Sequence, residues 1–252
     1  MNLGLKGKVA IVTGGSAGIG RSIALGLAAE GAALAICARR EGPLRETEAA
    51  LRASAANVYA ATCDVGDATA LDAFLESAKA RFGRVDILIN NASGLGVTDD
   101  EAGWAVSLNV DLLASVRAAR KVVPWMTEAG GGSILFISSI AGFEYVGSPA
   151  PYAAVKAALI SYSKTQAMNL GANKIRVNTI APGSIEFPGG VWEKARLNKV
   201  PRYDAVRAAI PFGRLGAPED VADVAVYLVS DRARWITGEC ISVDGGQHKG
   251  NL

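Results

Sequence analysis

Short apolar runs, each too short for a helix of its own, alternate along this chain with longer amphipathic stretches. The runs occupy residues 9–12, 33–37, 58–62, 85–90, 133–137, 175–180 and 240–243. They are rich in Val, Ile and Leu and read as nearly continuous apolar segments, so strands buried on both faces are expected. Strands of that kind separated by helices dictate a mostly parallel sheet with helices packed on both sides. The expected fold is therefore α/β, a doubly wound parallel sheet of about seven strands. A chain of 252 residues is long enough to bury a large core in one such domain. No repeat, linker or low-complexity tract divides it, so residues 1–252 are read as a single domain.

Charge and special residues narrow the function. Lys and Arg number 26 against 24 Asp and Glu, a net charge of +2, which carries no electrostatic footprint for nucleic acid. No run reaches ~18 apolar residues without charges or turn residues, so no membrane span is expected. The N-terminal residues lack a long apolar segment ending in a cleavage site, so no secretory leader is read there. Cys37, Cys63 and Cys240 are odd in number and far apart, which suits unpaired cysteines in a reducing, cytoplasmic compartment. His248 in the polar tail is the only histidine. A serine–histidine relay in the body of the chain is thereby excluded, and no metal site is expected. Acid–base chemistry must fall to Tyr, Lys, Asp or Glu.

One stretch supplies it. Ser139 is followed thirteen residues later by Tyr152 and four residues after that by Lys156. Tyrosine and lysine at i and i+4 share one face of a helix. A free phenol is a poor acid or base near neutral pH, but an ammonium held beside a phenol favours its charged form. A serine hydroxyl nearby can hold a substrate oxygen while the tyrosine exchanges a proton with it. Tyr-x-x-x-Lys also occurs in many helices as a surface tyrosine lying along a lysine stem, so the rest of the chain has to decide between the two readings.

Other polar features follow the ends of the predicted strands. After residues 9–12 comes Thr13-Gly-Gly-Ser-Ala-Gly-Ile-Gly20 and then a helical pattern over 22–30. Glycines at 14, 18 and 20 let a backbone approach a pyrophosphate, and the helix N-terminus behind them offers free N–H groups and a positive dipole end. The second strand ends at Ala38, where a ribose-binding carboxylate is usual, and is followed by Arg39 and Arg40; an arginine there suits a 2′-phosphate. Asp64-Val65 follows the third strand, Asn90-Asn91-Ala92-Ser93 the fourth, Ser139 the fifth and Pro182-Gly183 the sixth. In open parallel sheets, ligands bind beyond these carboxyl ends. A helical stretch over about 101–128 carries Asn109 within Leu108-Asn-Val110, a polar group that needs a partner if buried. Residues 184–214 hold Pro188, Gly189, Gly190, Pro201 and Pro211 as punctuators and an excess of basic side chains, among them Arg196 and Arg202. A long insertion after a strand end is read as a substrate lid that favours an anionic group.

Together, Thr13-Gly-x-x-x-Gly-x-Gly20, Asp64-Val65, Asn90-Asn-Ala92, Asn109, Ser139, Tyr152-x-x-x-Lys156, Pro182-Gly183 and Ile236-Thr-Gly-Glu…Val243-Asp-Gly-Gly246 resemble the short-chain dehydrogenase/reductase family over nearly the whole chain. The nearest likeness is to the branch of 3-oxoacyl-carrier-protein reductases and sugar, polyol and steroid alcohol dehydrogenases. The resemblance implies a Rossmann-type seven-stranded sheet, a nicotinamide cofactor, a homotetramer and a small carbonyl or alcohol substrate. It implies Asn109, Ser139, Tyr152 and Lys156 as the catalytic set. It further implies Gly14, Ser16, Gly18, Ile19, Gly20, Arg39, Asp64, Val65, Asn91, Ala92, Tyr152, Lys156, Pro182, Gly183 and Ile185 as cofactor contacts. Arg39 makes NADP the expected cofactor over NAD, with a reach of Glu41 back to the ribose as the competing arrangement. Two places depart from the family pattern: Ser93 stands for the glycine of Asn-Ala-Gly, and Phe187 for a threonine that holds the nicotinamide amide, leaving that contact to Ile185 or Ser184. The expected activity is reversible hydride transfer between NADP(H) and a carbonyl/alcohol pair. The competing reading is a non-catalytic NADP(H)-binding sensor on the same fold. Among enzymes, an acyl-thioester reductase and a sugar, polyol or steroid dehydrogenase stand equal.

Overall fold

In the computed structural model, residues 2–54 and 56–250 are described. Among them, strands β1 (Val9–Thr13), β2 (Ala33–Ala38), β3 (Val58–Thr62), β4 (Ile87–Asn90), β5 (Gly132–Ile137), β6 (Ile175–Pro182) and β7 (Cys240–Val243) form one sheet. Its order is β3-β2-β1-β4-β5-β6-β7 with every pairing parallel. The chain winds outward from β1 in one direction and from β4 in the other. The reversal leaves a crevice at the carboxyl ends between β1 and β4. The expected architecture is thus present.

The continuous apolar runs are explained by two cores. Alternate residues of each strand face opposite ways. Ala10, Val12, Leu34, Ile36, Ile87 and Ile89 join α1 (Gly18–Ala29), α2 (Glu41–Ala53) and α9 (Pro218–Val229) on one side. Ile11, Ala35, Cys37, Leu88, Ile134 and Phe136 join α3 (Ala68–Phe82), α5 (Ala114–Glu128) and α6 (Ala150–Leu170) on the other. All five residues of β1 are buried.

Three elements differ from the sequence expectation. First, α1 begins at Gly18, not at residue 22, so Gly18 and Gly20 belong to its first turn. Second, the stretch 101–128 is not one regular helix. It divides into α4 (Glu101–Val106), a π-helical turn Ser107–Leu113, and α5. Third, the insertion after β6 is folded: α7 (Val191–Leu197) and α8 (Pro201–Ala209) pack Trp192, Ala195 and Val206 around Tyr203, Ile210 and Leu215 as a small core of their own. Among the described residues no helix is long and apolar enough to cross a membrane.

Candidate active site

Above the carboxyl ends of the strands lies a cavity of about 980 Å³. Its floor is built from the junction of β5 and α6. Ser139 ends the strand in extended backbone and caps a 3₁₀ turn, its Oγ accepting the N–H of Ala141 at 3.1 Å. Pro151 lies in the first turn of α6, where a missing N–H costs nothing. Tyr152 and Lys156 follow on one face. The helix is held in register by Ser138, whose Oγ donates 2.8 Å to the Lys156 carbonyl. Gly142 lets the 3₁₀ turn approach: a Cβ there would stand 2.9 Å from the Lys156 carbonyl carbon.

Lys156 is only 2% exposed. A buried ammonium needs acceptors. Its Nζ donates 3.0 Å to the Ile137 carbonyl and lies 3.3 Å from Oδ1 of Asp111. It also sits 5.4 Å from the centroid of the Tyr152 ring. Ser139, Tyr152 and Lys156 all line the cavity, so the tyrosine–lysine pair is not a surface contact.

Asn109, expected in the same set, does not line this cavity. Its Nδ2 donates 2.8 Å to the Gly66 carbonyl, and its Oδ1 accepts from Nη1 of Arg117 at 2.8 Å. It is a strut between the π turn and the loop after β3. The residue that meets Lys156 is Asp111, 0% exposed. Positions two apart on a helix lie ~200° apart, so both cannot face one site. The signal for Asp111 in the sequence was a lone carboxylate inside the apolar stretch Val110-Asp-Leu-Leu113, which must find a cation or donors if buried.

The glycine turn forms the next part of the cavity wall. Gly14 adopts φ +69°, and a Cβ on it would lie 2.9 Å from Nδ2 of Asn91. Asn91 donates from Nδ2 to the carbonyls of Thr13 and Gly14, both at 3.1 Å, while Thr13 Oγ1 accepts the N–H groups of Asn91 and Ala92. Asn91 and Ala92 therefore tie the end of β4 to the turn as well as lining the cavity. Gly14, Ser16 and Ile19 line it too; Gly18 and Gly20 do not. Gly20 is required for packing, since a Cβ would fall 2.3 Å from Asn91 Nδ2 and 2.4 Å from the Gly14 carbonyl. Ala17, the N-cap of α1, offers no side-chain acceptor, so the first N–H groups of that helix stay available to an anion at the cavity.

Ala38, Arg39, Asp64 and Val65 line the far end of the cavity. Arg39 is exposed and forms no ion pair among the described residues. Glu41 pairs with Arg45 at 3.5 Å and is not turned back to the strand end. Beneath this end, hydrogen bonding with the neighbouring Cys63, and then burial, push the Cys37 thiol well up. Pro182, Gly183 and Ile185 line the opposite wall. Ser184 is latched to Gln247, its N–H donating 2.8 Å to Oε1. Phe187 packs its ring against Gly18: a Cβ there would be 2.8 Å from the ring. Val191, Trp192, Val200 and Arg202 of the segment carrying α7 and α8 also line the cavity. An elongated cavity with a bare helix N-terminus, a glycine turn too tight for side chains and an unpaired arginine at one end fits a phosphorylated dinucleotide.

Comparison with known proteins agrees with this geometry. Residues 14–248 match the family model described as enoyl-(acyl carrier protein) reductase. The mouse (Mus musculus) dehydrogenase/reductase SDR family member 4 is 34% identical over 249 residues, 96% of this chain and 88% of the relative. The 3-oxoacyl-[acyl-carrier-protein] reductase of Escherichia coli strain K12 is 35% identical over 253 residues, 98% and 99% of the two chains. Among solved structures, L-sorbose reductase from Gluconobacter frateurii, complexed with NADPH and L-sorbose, superposes with a TM-score of 0.92 at 36% identity, covering 99% of this chain and 100% of that one. On its full-length match to the family model and its relatives, this chain belongs to the short-chain dehydrogenase/reductase family and is an oxidoreductase acting on carbonyl and alcohol groups.

Proposed function

We propose that this protein is an NADP(H)-dependent enzyme that interconverts a ketone or aldehyde with the corresponding alcohol, with Tyr152 as general acid and base. The observation that carries the reading is the convergence of Ser139, Tyr152 and buried Lys156 on one cavity whose far end presents Ala38 and Arg39. A pure binding protein has no use for a half-buried tyrosine over a buried ammonium. When bound, a nicotinamide cofactor supplies or accepts the hydride. Everything else falls to the chain. Ser139 orients the substrate oxygen with the hydroxyl hydrogen that its bond to Ala141 leaves unused. Tyr152 gives a proton to that oxygen in reduction and takes it back in oxidation. Lys156 brings positive charge to the phenol and stabilises negative charge developing on it.

The lid defines the substrate. Three of its six basic residues are committed to carboxylates: Arg196 to Glu186 at 2.5 Å, Arg207 to Asp204 at 3.4 Å and Arg214 to Asp220 at 2.7 Å. Arg202 instead lies over the Trp192 ring at 5.7 Å and donates 3.0 Å to the Val146 carbonyl at the cavity rim. The substrate has an apolar body against Trp192 and Val146 and an anionic end at Arg202. A carbonyl panel containing neutral and carboxylate-bearing pairs, run with NADPH and NADH, tests both parts. Wild type turns over carbonyls with NADPH. Arg202→Met raises KM for the anionic members by about three- to tenfold and leaves the neutral ones unchanged. Equal effects on both classes return the arginine to a surface role; no turnover of any member sinks the enzymatic reading.

We place the protein in the cytoplasm as a homotetramer. Leu108 and Leu113 on the π turn and Met168 on α6 are exposed, at 40%, 41% and 62%. Apolar side chains on two adjacent elements suit a subunit interface. Light scattering at micromolar concentration is expected to give four times the chain mass of 26.0 kDa, and a monomer would rule the assembly out.

A further inference from the structure

We propose that Asp111 is the positioning residue for Lys156, and that its charge sets the pH range in which Tyr152 gives and takes its proton. The inference deepens the reading above and rests on Tyr152 being the acid and base. Asp111 has 0% exposure and both its carboxylate oxygens are engaged. Oδ1 accepts from Ser93 Oγ at 2.5 Å and faces Lys156 Nζ at 3.3 Å; Oδ2 accepts from the Gly94 N–H at 2.9 Å. It is the only carboxylate paired with Lys156 among the described residues. A buried carboxylate with an ammonium and two further donors is a built contact.

One departure from the family pattern lies at this contact. Ser93 replaces a glycine, and its hydroxyl donates to Asp111. Asn109, the residue expected to serve the lysine, is turned to Gly66 and Arg117. Asn109 and Asp111 both lie in the π-helical turn Ser107–Leu113, and such turns recur at functional sites. The charged and titratable groups facing Asp111 can be named element by element. α6 presents Lys156, with Tyr152 beyond it. The loop after β4 presents Ser93 and a backbone N–H. α5 presents Ser115, whose Oγ donates to the Asp111 carbonyl. Arg117 is bonded to Asn109 instead.

The lysine and aspartate side chains are 3% and 0% exposed, so solvent screens the pair weakly. The carboxylate offsets much of the positive charge that Lys156 presents to Tyr152. Tyr152 therefore acts as the proton donor for carbonyl reduction. Oxidation of the alcohol, which needs the phenolate as base, runs at higher pH.

The test needs neither substrate nor cofactor. Tyrosinate absorbance of the protein is titrated in the ultraviolet, and subtraction of the same titration of Tyr152→Phe isolates Tyr152. Asp111→Asn keeps the shape and an acceptor for Lys156 while removing the charge. It is expected to move the Tyr152 midpoint to lower pH by about one unit. Asp111→Glu, which keeps the charge, leaves the midpoint near wild type. The pH midpoint of kcat/KM for alcohol oxidation follows the same order. If Asp111→Asn fails to fold, Ser93→Gly/Asp111→Asn removes both partners together and leaves neither hydroxyl nor carboxylate stranded. A natively folded Asn variant whose Tyr152 midpoint is unchanged or raised overturns the proposal. That result leaves the enzymatic reading standing, because turnover and its loss in Tyr152→Phe are measured separately.

Discussion

Tyr152→Phe is expected to lower kcat by about 10²-fold or more on the best substrate while the protein folds and binds NADPH as wild type does. The substitution removes one oxygen from a half-buried side chain. The ring that lies 5.4 Å from Lys156 Nζ stays in place. Lys156 keeps its bonds to the Ile137 carbonyl and to Asp111, so no buried charge is orphaned. What disappears is the group that hands a proton to the substrate oxygen. Lys156 cannot replace it, since its acceptors hold it below the ring. Water in its place lacks the fixed geometry on which general acid catalysis depends. The measurement is steady-state kinetics beside fluorescence titration with NADPH. Wild-type kcat in the Phe variant would remove Tyr152 from the mechanism, and a loss of NADPH binding equal to the loss in kcat would make the residue a cofactor clamp instead.

The second large effect is on cofactor choice. Wild type is expected to prefer NADPH to NADH in kcat/KM, and Ala38→Asp/Arg39→Leu to reverse that preference. Ala38 ends β2 and Arg39 follows it on the cavity wall, exposed and without an ion pair among the described residues. A guanidinium in that position donates to a phosphate and lays its plane on a base. One hydrogen bond to a charged group contributes about 1.5–3 kcal/mol, or roughly 10- to 150-fold in affinity. The aspartate adds an acceptor for ribose hydroxyls and repels a 2′-phosphate, so the two changes act in one direction. The competing arrangement, in which Glu41 reaches the ribose, is disfavoured by its pairing with Arg45. An original preference for NADH, or a double variant that still prefers NADPH, would refute the assignment.

Much of this protein was legible in the sequence, because the relevant signals are local. Strand length, apolar continuity and β-branched content dictated a sheet buried on both faces, and the two cores on either side of β1 are that pattern in three dimensions. The i, i+4 spacing of Tyr152 and Lys156 needs only a helix to bring them together. The strand-end positions of Gly14, Arg39, Asp64 and Pro182 bring them to one cavity once the sheet is parallel. Tertiary structure decided what depends on distant partners. Gly18 and Gly20 read as cofactor contacts, and the fold adds a second reason for glycine at both: one faces the Phe187 ring and the other Asn91, from segments far along the chain. The segment 184–214 read as a lid with Arg196 and Arg202 alike facing an anionic group, and only the pairing of Arg196 with Glu186 and the place of Arg202 on the cavity wall told the two apart. Asn109 and Asp111 make the point most sharply. A regular helix over 101–128 was the natural reading of an apolar periodicity, and it did not reveal that Asp111, two residues beyond Asn109, is the side chain that meets Lys156. The π turn at Ser107–Leu113 carries both residues, and their side chains meet different partners. Asp111 reaches a buried ammonium, a hydroxyl and an N–H on two other segments. The free energy of burying a charge is fixed by groups that the fold alone brings within reach.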